Sequence, residues 1–273
     1  MCFLNLPVKE SKRKKKEGLF NKMARADYCL YQSKNKLLGN NKEEPLTDLC
    51  IVLDLDSTLI CTQDEEDNHL FKEYGIMTNP EHIALRTRCY YLTLDDYEEP
   101  GIGSSYNFWG TLRPYTKEFL EFCFGYFRVV AVWSAGQAPY VEKLVDFLFA
   151  DLPQPHVVFT YNHLEKDKKK TIKLLDKMYN YNAFTKKHMN KYNTIILDDN
   201  KETFSKNKDN AVHIPGYEPK ATLKSLKSTK DQRLVQFMYW LCKEDVRTSK
   251  NVLELDKSNI FKTTIQTYEN NAQ

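Results

Sequence analysis

Three short apolar runs in this chain each stop on a polar residue. Leu49 to Leu55 (LCIVLDL) carries Asp54 and leads into Asp56, Arg128 to Trp133 (RVVAVW) is followed by Ser134, and Thr194 to Leu197 (TIIL) by Asp198 and Asp199. Each run is too short for a helix and rich in branched residues, the pattern of a strand buried on both faces. Between and after them lie stretches with helical spacing: Tyr115 to Tyr126, Gln137 to Phe149 with Tyr140, Leu144, Phe147 and Leu148 on one face, and Gln232 to Cys242. Val157 to Thr160 and Ala211 to Ile214 read as two further short strands. Alternating strands and helices predict an α/β fold, a doubly wound and mostly parallel sheet. Ligands bind such sheets beyond the carboxyl ends of the strands, where the polar residues stand.

The segment from 61 to 110 departs from that rhythm. An acidic stretch (Asp64 to Asp67), a strand-like Arg88 to Leu94, a Gly/Pro loop (Pro100 to Gly103) and a second strand-like piece (Tyr106 to Leu112) predict a β-hairpin inserted after the first strand. Arg113-Pro114 ends it. Glu165 to Lys191 is Lys-rich, and its first half is expected to be helical. Leu19, Met23, Ala26 and Leu30 also recur at helical spacing, so Leu19 to Leu38 has the pattern of a helix. The expected organisation is a basic tail over 1–44, one domain over 45–250 and a second tail over 251–273.

At 41 % apolar and 28 % charged over 273 residues, the composition is that of a globular chain and not of a fibrous or disordered one. Apolar stretches such as Val129 to Trp133 are far below the ~20 residues that cross a bilayer, so no membrane partner is expected. The seven cysteines (Cys2, Cys29, Cys50, Cys61, Cys89, Cys123, Cys242) are odd in number and lack a C-x-x-C pair, which reads as free thiols in a reducing compartment. Met1 to Pro7 is too short for a signal-peptide core, and lysines follow it instead of preceding it; an intracellular location, nuclear or cytoplasmic, is expected. The six histidines show no H-x-x-x-H spacing and read as surface or turn residues, so zinc has no support.

Residues 1 to 40 hold ten Lys/Arg against three Asp/Glu, whereas the remainder holds 30 against 34. Within that tail, Lys12-Arg13-Lys14-Lys15-Lys16 is either a solvated flexible run or a localisation signal or nucleic-acid contact. It lacks the interleaved aromatics on which bases stack.

Asp54-Leu55-Asp56-Ser57-Thr58 sets two carboxylates two positions apart, on one side of an extended chain unless the turn has begun. One could attack while the other shuttles a proton; equally, Asp56 could cap the next turn and Asp54 could end a strand in water. The second acidic pair, Asp198-Asp199, adds weight, because carboxylates clustered at a sheet edge repel one another unless a cation binds. Mg²⁺ suits such a cluster, since it prefers hard oxygen ligands and keeps several waters.

These residues carry a resemblance. Leu53-Asp54-Leu55-Asp56-Ser57-Thr58-Leu59, Leu112-Arg113-Pro114, Trp133-Ser134-Ala135, Lys173-Leu174-Leu175, Ile196-Leu197-Asp198-Asp199-Asn200 and Asp209-Asn210-Ala211-Val212 resemble the haloacid dehalogenase superfamily. The branch they are most similar to is the phosphatases of the RNA polymerase II C-terminal domain, also called NLI-interacting-factor-like phosphatases. The resemblance runs from about Leu49 to about Arg247. It implies a Rossmann-type, HAD-like fold in which Asp54 is the nucleophile and passes through an aspartyl-phosphate, and Asp56 is general acid and then base. It implies Mg²⁺ held by Asp54, the Asp56 main-chain carbonyl and Asp199, with Asp198 in direct contact or just behind. Ser134 and a lysine would meet the phosphoryl oxygens. Lys173 fits that lysine best by spacing, with Lys168, Lys169 and Lys170 close by. Thr58 would bind phosphate or support the loop and is equally a simple turn residue, as is Ser134, and Arg113 reads as structural, paired with an acid in the turn.

Members acting on small metabolites usually carry a cap domain. The 39 positions from Ser134 to Lys173 are largely taken by a helix and a strand, and residues 61 to 110 lack the helical periodicity of a larger lid, so a capless enzyme is expected. An open cleft suits a phosphopeptide. The expected activity is that of a Mg²⁺-dependent protein serine/threonine phosphatase, possibly acting on a polymerase C-terminal domain. The alternatives are a phosphatase of a small metabolite or nucleic-acid end, and a catalytically silent phosphoprotein-binding module of the same fold.

Overall fold

The computed structural model of the protein describes residues 44–64, 75–76, 78–95, 103, 105–167 and 170–262. The basic run and the Leu19 to Leu38 pattern lie outside them. In chain order the strands are β1 (Cys50–Leu53), β2 (Ile60–Asp64), β3 (Cys89–Asp95), β4 (Ser105–Leu112), β5 (Val129–Trp133), β6 (Val157–Phe159), β7 (Glu165–Asp167), β8 (Lys170–Ile172), β9 (Thr194–Asp198) and β10 (Ala211–His213). The helices are α1 (Ile83–Arg86), α2 (Thr116–Tyr126), α3 (Ala138–Leu148), α4 (Leu175–Tyr179), α5 (Ala183–His188), α6 (Leu223–Lys227), α7 (Arg233–Cys242) and α8 (Glu244–Arg247).

The central sheet is parallel throughout, in the order β10-β9-β1-β5-β6. Its apolar runs are unbroken because both faces are covered, and the period-2 pleat divides them cleanly. Ile51, Leu53, Val130, Val132, Ile195 and Leu197 point into one core with Phe119 of α2, Leu144 of α3 and Phe237 of α7. Cys50, Val52, Ala131, Trp133 and Ile196 point the other way, toward Leu175 and Met178 of α4. This is the doubly wound α/β architecture that the alternation predicted.

The insertion is an antiparallel sheet in the order β2-β4-β3: the expected β3–β4 hairpin, extended by β2 on its other edge. Trp109 and Cys89 form a small second core with Ile76, Leu85 and Leu226, the last contributed by α6. Between Ser134 and Lys173 the described residues form α3, β6, a one-turn helix and a short antiparallel pair, with no separate cap.

Three expectations are corrected. The first half of Glu165 to Lys191 opens as the β7–β8 hairpin, paired Glu165 to Ile172 and Asp167 to Lys170, and turns helical only with α4 at Leu175. Lysine favours helices, but residues 165–171 hold no apolar side chain to dock a helix face, and Thr171-Ile172 suits a strand. His82 and His156 are buried instead of superficial; the His156 ring stacks on Phe184, and its Nδ1 accepts a hydrogen bond from the Val130 amide. The segment expected as a tail after 250 packs on the main core as far as it is described, burying Val252 and Ile260.

Candidate active site

Register brings the polar ends together. Leu53 pairs with Val132 on one side and with Leu197 on the other, so Asp54, Trp133 and Asp198 follow at one level, and Ser134 and Asp199 come next. The Asp54 amide still donates to Leu197 O at 3.0 Å, and the turn then begins: Leu55 O accepts from the amides of Thr58, Leu59 and Ile60. Ser57 takes φ = 55°, a left-handed conformation unusual for a side chain-bearing residue, and its carbonyl is held by the Tyr217 amide at 2.7 Å. Asp54 and Asp56 therefore do not share one strand face; the turn separates their surroundings.

Lys173 lies at the centre. It follows β8, its amide bonded to Thr203 O, and its side chain is 1 % exposed. The ammonium donates to Asp54 Oδ1 at 2.6 Å and to Asp198 Oδ2 at 2.7 Å. Burial disfavours this charge, but Asp54 and Asp198 outweigh it and hold the ammonium above its usual pKa. Burial also pushes the Asp54 carboxyl up; Lys173 opposes that shift, while Asp198 adds to it. One ammonium serving two carboxylates leaves the pocket short of positive charge. Lys170 stands outside the cluster, paired with Glu202 at the surface.

Asp198 has its oxygens occupied. Oδ1 accepts from the Asn200 amide, and Oδ2 accepts from Thr203 Oγ1 as well as from Lys173. Asp199 sits half-buried, with its carboxyl raised by burial and then by Asp198. Thr58, fully buried, joins the two acidic motifs: its hydroxyl accepts from the Asp199 amide at 3.1 Å and lies 3.2 Å from Asp199 Oδ1 and 3.4 Å from Asp54 Oδ2. Ser134 is buried, and its Oγ accepts from the Gly136 amide at 3.0 Å, the bond of a tight turn after β5.

The Asp56 carboxylate belongs to a different set of partners. Oδ1 accepts from the Tyr140 hydroxyl at 2.6 Å and from Thr62 Oγ1 at 3.0 Å. Burial raises its carboxyl, and these two hydrogen bonds oppose the rise.

Arg113 is a brace. Its side chain is 0 % exposed, gripping Asp231 through Nε and Nη2 at 3.1 and 3.0 Å. It also donates to Thr58 O at 2.9 Å and to Pro215 O at 2.6 Å, which ties the first acidic loop to the loop after β10.

The chemistry of the donor set fits a hard divalent cation. Asp54, Asp198 and Asp199 each offer a carboxylate oxygen, all within 4.8 Å of one another. Three carboxylates around one ammonium leave negative charge in surplus, and oxygen donors of this kind suit Mg²⁺. Both Asp198 oxygens serve protein donors, whereas Asp54 Oδ2 and Asp199 Oδ1 meet only the Thr58 hydroxyl, which leaves those two residues freer to offer an oxygen to a cation.

The structure gathers Asp54, Thr58, Lys173, Asp198 and Asp199 into one hydrogen-bonded cluster and puts Asp56 and Ser134 on the adjoining loops. Sequence reading missed Thr203, which holds Asp198, and Asp231, which holds Arg113. Tyr140 carried a signal only as part of an apolar helix stripe.

The family described as NLI interacting factor-like phosphatase matches residues 49–252. Among solved structures, the fission yeast RNA polymerase II CTD phosphatase Fcp1 in a beryllium fluoride complex is 17 % identical, with a TM-score of 0.48 over 77 % of this chain and 55 % of that one. A second structure of Fcp1, titled an essential RNA polymerase II CTD phosphatase, is 16 % identical, with a TM-score of 0.49 over 77 % and 53 %. The chain thus spans about half the length of the solved structures it matches. No curated protein matches it.

Proposed function

This chain belongs to the NLI interacting factor-like phosphatase family, and from that premise we propose that it is a Mg²⁺-dependent protein serine/threonine phosphatase working through an aspartyl-phosphate on Asp54. The observation that carries this reading is the buried Lys173 ammonium bridging Asp54 and Asp198 at the carboxyl ends of adjacent parallel strands.

Asp54 attacks phosphorus, the new carboxylate–phosphorus bond forms, and the seryl or threonyl oxygen leaves with a proton from Asp56. Water then attacks the same phosphorus, gives a proton back to Asp56, and frees Asp54 and inorganic phosphate. Two displacements, each assisted by a positioned carboxyl group, replace one unassisted displacement. Lys173 keeps the Asp54 carboxylate oriented and offers positive charge to the phosphoryl oxygens, and Ser134 adds a hydroxyl donor. Thr58 fixes Asp54 relative to Asp199. Mg²⁺, held by Asp54, Asp199 and the Asp56 carbonyl with Asp198 behind, would neutralise the phosphoryl charge.

A capless cleft supports a phosphoprotein substrate, and a polymerase C-terminal-domain repeat is the first peptide to test. The assay compares phosphoserine peptides, small phosphorylated metabolites and nucleic-acid 3′- and 5′-phosphate ends, with and without Mg²⁺, for wild type and Asp54→Asn. Mg²⁺-dependent release from peptides that Asp54→Asn abolishes is the expected result. Strong preference for a metabolite or a nucleic-acid end overturns the substrate class, and equal inertness of both proteins favours a silent binding module.

A further inference from the structure

The inserted sheet is neither a lid nor part of the acidic cluster, yet it reaches Asp56. Thr62 on β2 and Tyr90 on β3 both pair with Gly110 of β4, so the three lie in one row across the sheet. Gly110 has no side chain, and a Cβ there would collide with the Tyr90 ring end and with the Cys61 carbonyl. The gap lets the Tyr90 ring cross β4 and place its hydroxyl 2.6 Å from Thr62 Oγ1. From the other side, α3 brings Tyr140, whose hydroxyl is 2.5 Å from Thr62 Oγ1 and 2.6 Å from Asp56 Oδ1. Gly136 leaves room for that ring, since a Cβ would press on Tyr140 Cδ1. Phe108 packs against Tyr140 and Phe147 against Tyr90, so neither ring is free to swing.

Three hydroxyl protons meet four short contacts, so the Tyr140–Thr62 approach carries no proton of its own once both of those hydroxyls turn to Asp56. Tyr90 donates to Thr62, and Thr62 and Tyr140 both donate to Asp56 Oδ1. We propose that Thr62 and Tyr140 are positioning residues for Asp56: by both donating to Oδ1, they make it the carbonyl oxygen of the neutral acid and leave Oδ2 to carry the proton delivered to the leaving group. The insertion's role is then to buttress the acid. This rests on the reading of Asp56 as general acid.

The test uses the full chain with Mg²⁺ and reads the single-turnover release of leaving group from two substrates. A phosphoserine peptide needs a proton on its leaving oxygen, whereas p-nitrophenyl phosphate leaves as a stable anion. Asp56→Asn should slow the peptide about a hundredfold or more and p-nitrophenyl phosphate far less, as loss of a general acid does. Tyr140→Phe should slow the peptide about tenfold and p-nitrophenyl phosphate far less, with the peptide KM unchanged, which is about the size of one net hydrogen bond. Thr62→Val should act in the same sense and Thr62→Ser should recover the rate, separating orientation from folding. Equal slowing of both substrates by Tyr140→Phe, or a change confined to KM, would overturn the positioning role while Asp56→Asn still discriminates. If Asp56→Asn shows no dependence on leaving group, the general-acid reading fails, and this proposal falls with it.

Discussion

The Lys173 ammonium lies 2.6 Å from the Asp54 carboxylate, although the two residues are 119 positions apart in the chain. Both are buried, and the same ammonium contacts Asp198. Breaking a buried pair by removing one partner strands the other's charge, at a cost of roughly 3–5 kcal/mol. Lys173→Met should therefore lower unfolding free energy by about that amount in a urea titration. Adding Asp198→Asn should recover part of the loss, because it removes one of the stranded carboxylates.

Arg113 makes a comparable prediction away from the chemistry. It spends its donors on Asp231 and on two backbone carbonyls, a planar fork that an ammonium does not reproduce. Arg113→Lys should cost most of what Arg113→Ala costs, on the order of 3 kcal/mol, measured by the urea midpoint at constant slope. A lysine variant as stable as wild type would refute the bracing role.

The carboxylate surplus predicts that Mg²⁺ stabilises the fold. At about 100 times its dissociation constant, a ligand adds ~2.7 kcal/mol, which for a domain of this size raises Tm by about 5–10 °C. Asp54→Asn or Asp199→Asn should remove that rise. The sign of the pH dependence follows from the raised carboxyls of Asp54 and Asp199. A carboxyl whose folded pKa exceeds its unfolded value binds protons more readily when folded, so these two favour the metal-free fold increasingly as pH falls. Protons also compete with the ion. The Mg²⁺-induced shift in Tm should shrink as pH is lowered from neutral, as scanning calorimetry at several pH values would record.

Thiol chemistry checks the packing independently. Burial pushes Cys50 and Cys89 up to about 12 and raises Cys61 and Cys123, and only Cys242 of the five described thiols is exposed. Since the thiolate is the reactive form, iodoacetamide at neutral pH should label Cys242 first among these five in the native protein and all of them in urea. Peptide mass mapping reads the order.

Much of this arrangement is legible in the sequence because the strands are short, apolar and punctuated by acids. LCIVLDLD and TIILDD announce both where each strand ends and what stands there. Lys173 is harder to single out, since it follows a lysine-rich stretch whose composition suggests a helix; only the fold separates its buried ammonium from that of Lys170 at the surface. Arg113 reads as structural from its place after β4, but its partner Asp231 lies 118 positions on, and no spacing rule reaches that far. Tyr140 escaped because an aromatic on a helix stripe looks like core. Most of its ring is core, and only its hydroxyl, 2.6 Å from Asp56 Oδ1 and given room by Gly136, reveals a second task.

Trapping the covalent intermediate tests the central claim most directly. A phosphoserine peptide is turned over with Mg²⁺, quenched, treated with borohydride to reduce an acyl phosphate, and mapped by mass spectrometry. The account predicts reduction at residue 54 alone, converting Asp54 to homoserine, and no such product when the phosphopeptide is withheld. Phosphate release with Asp54 unmodified, or reduction at another carboxyl, would contradict it.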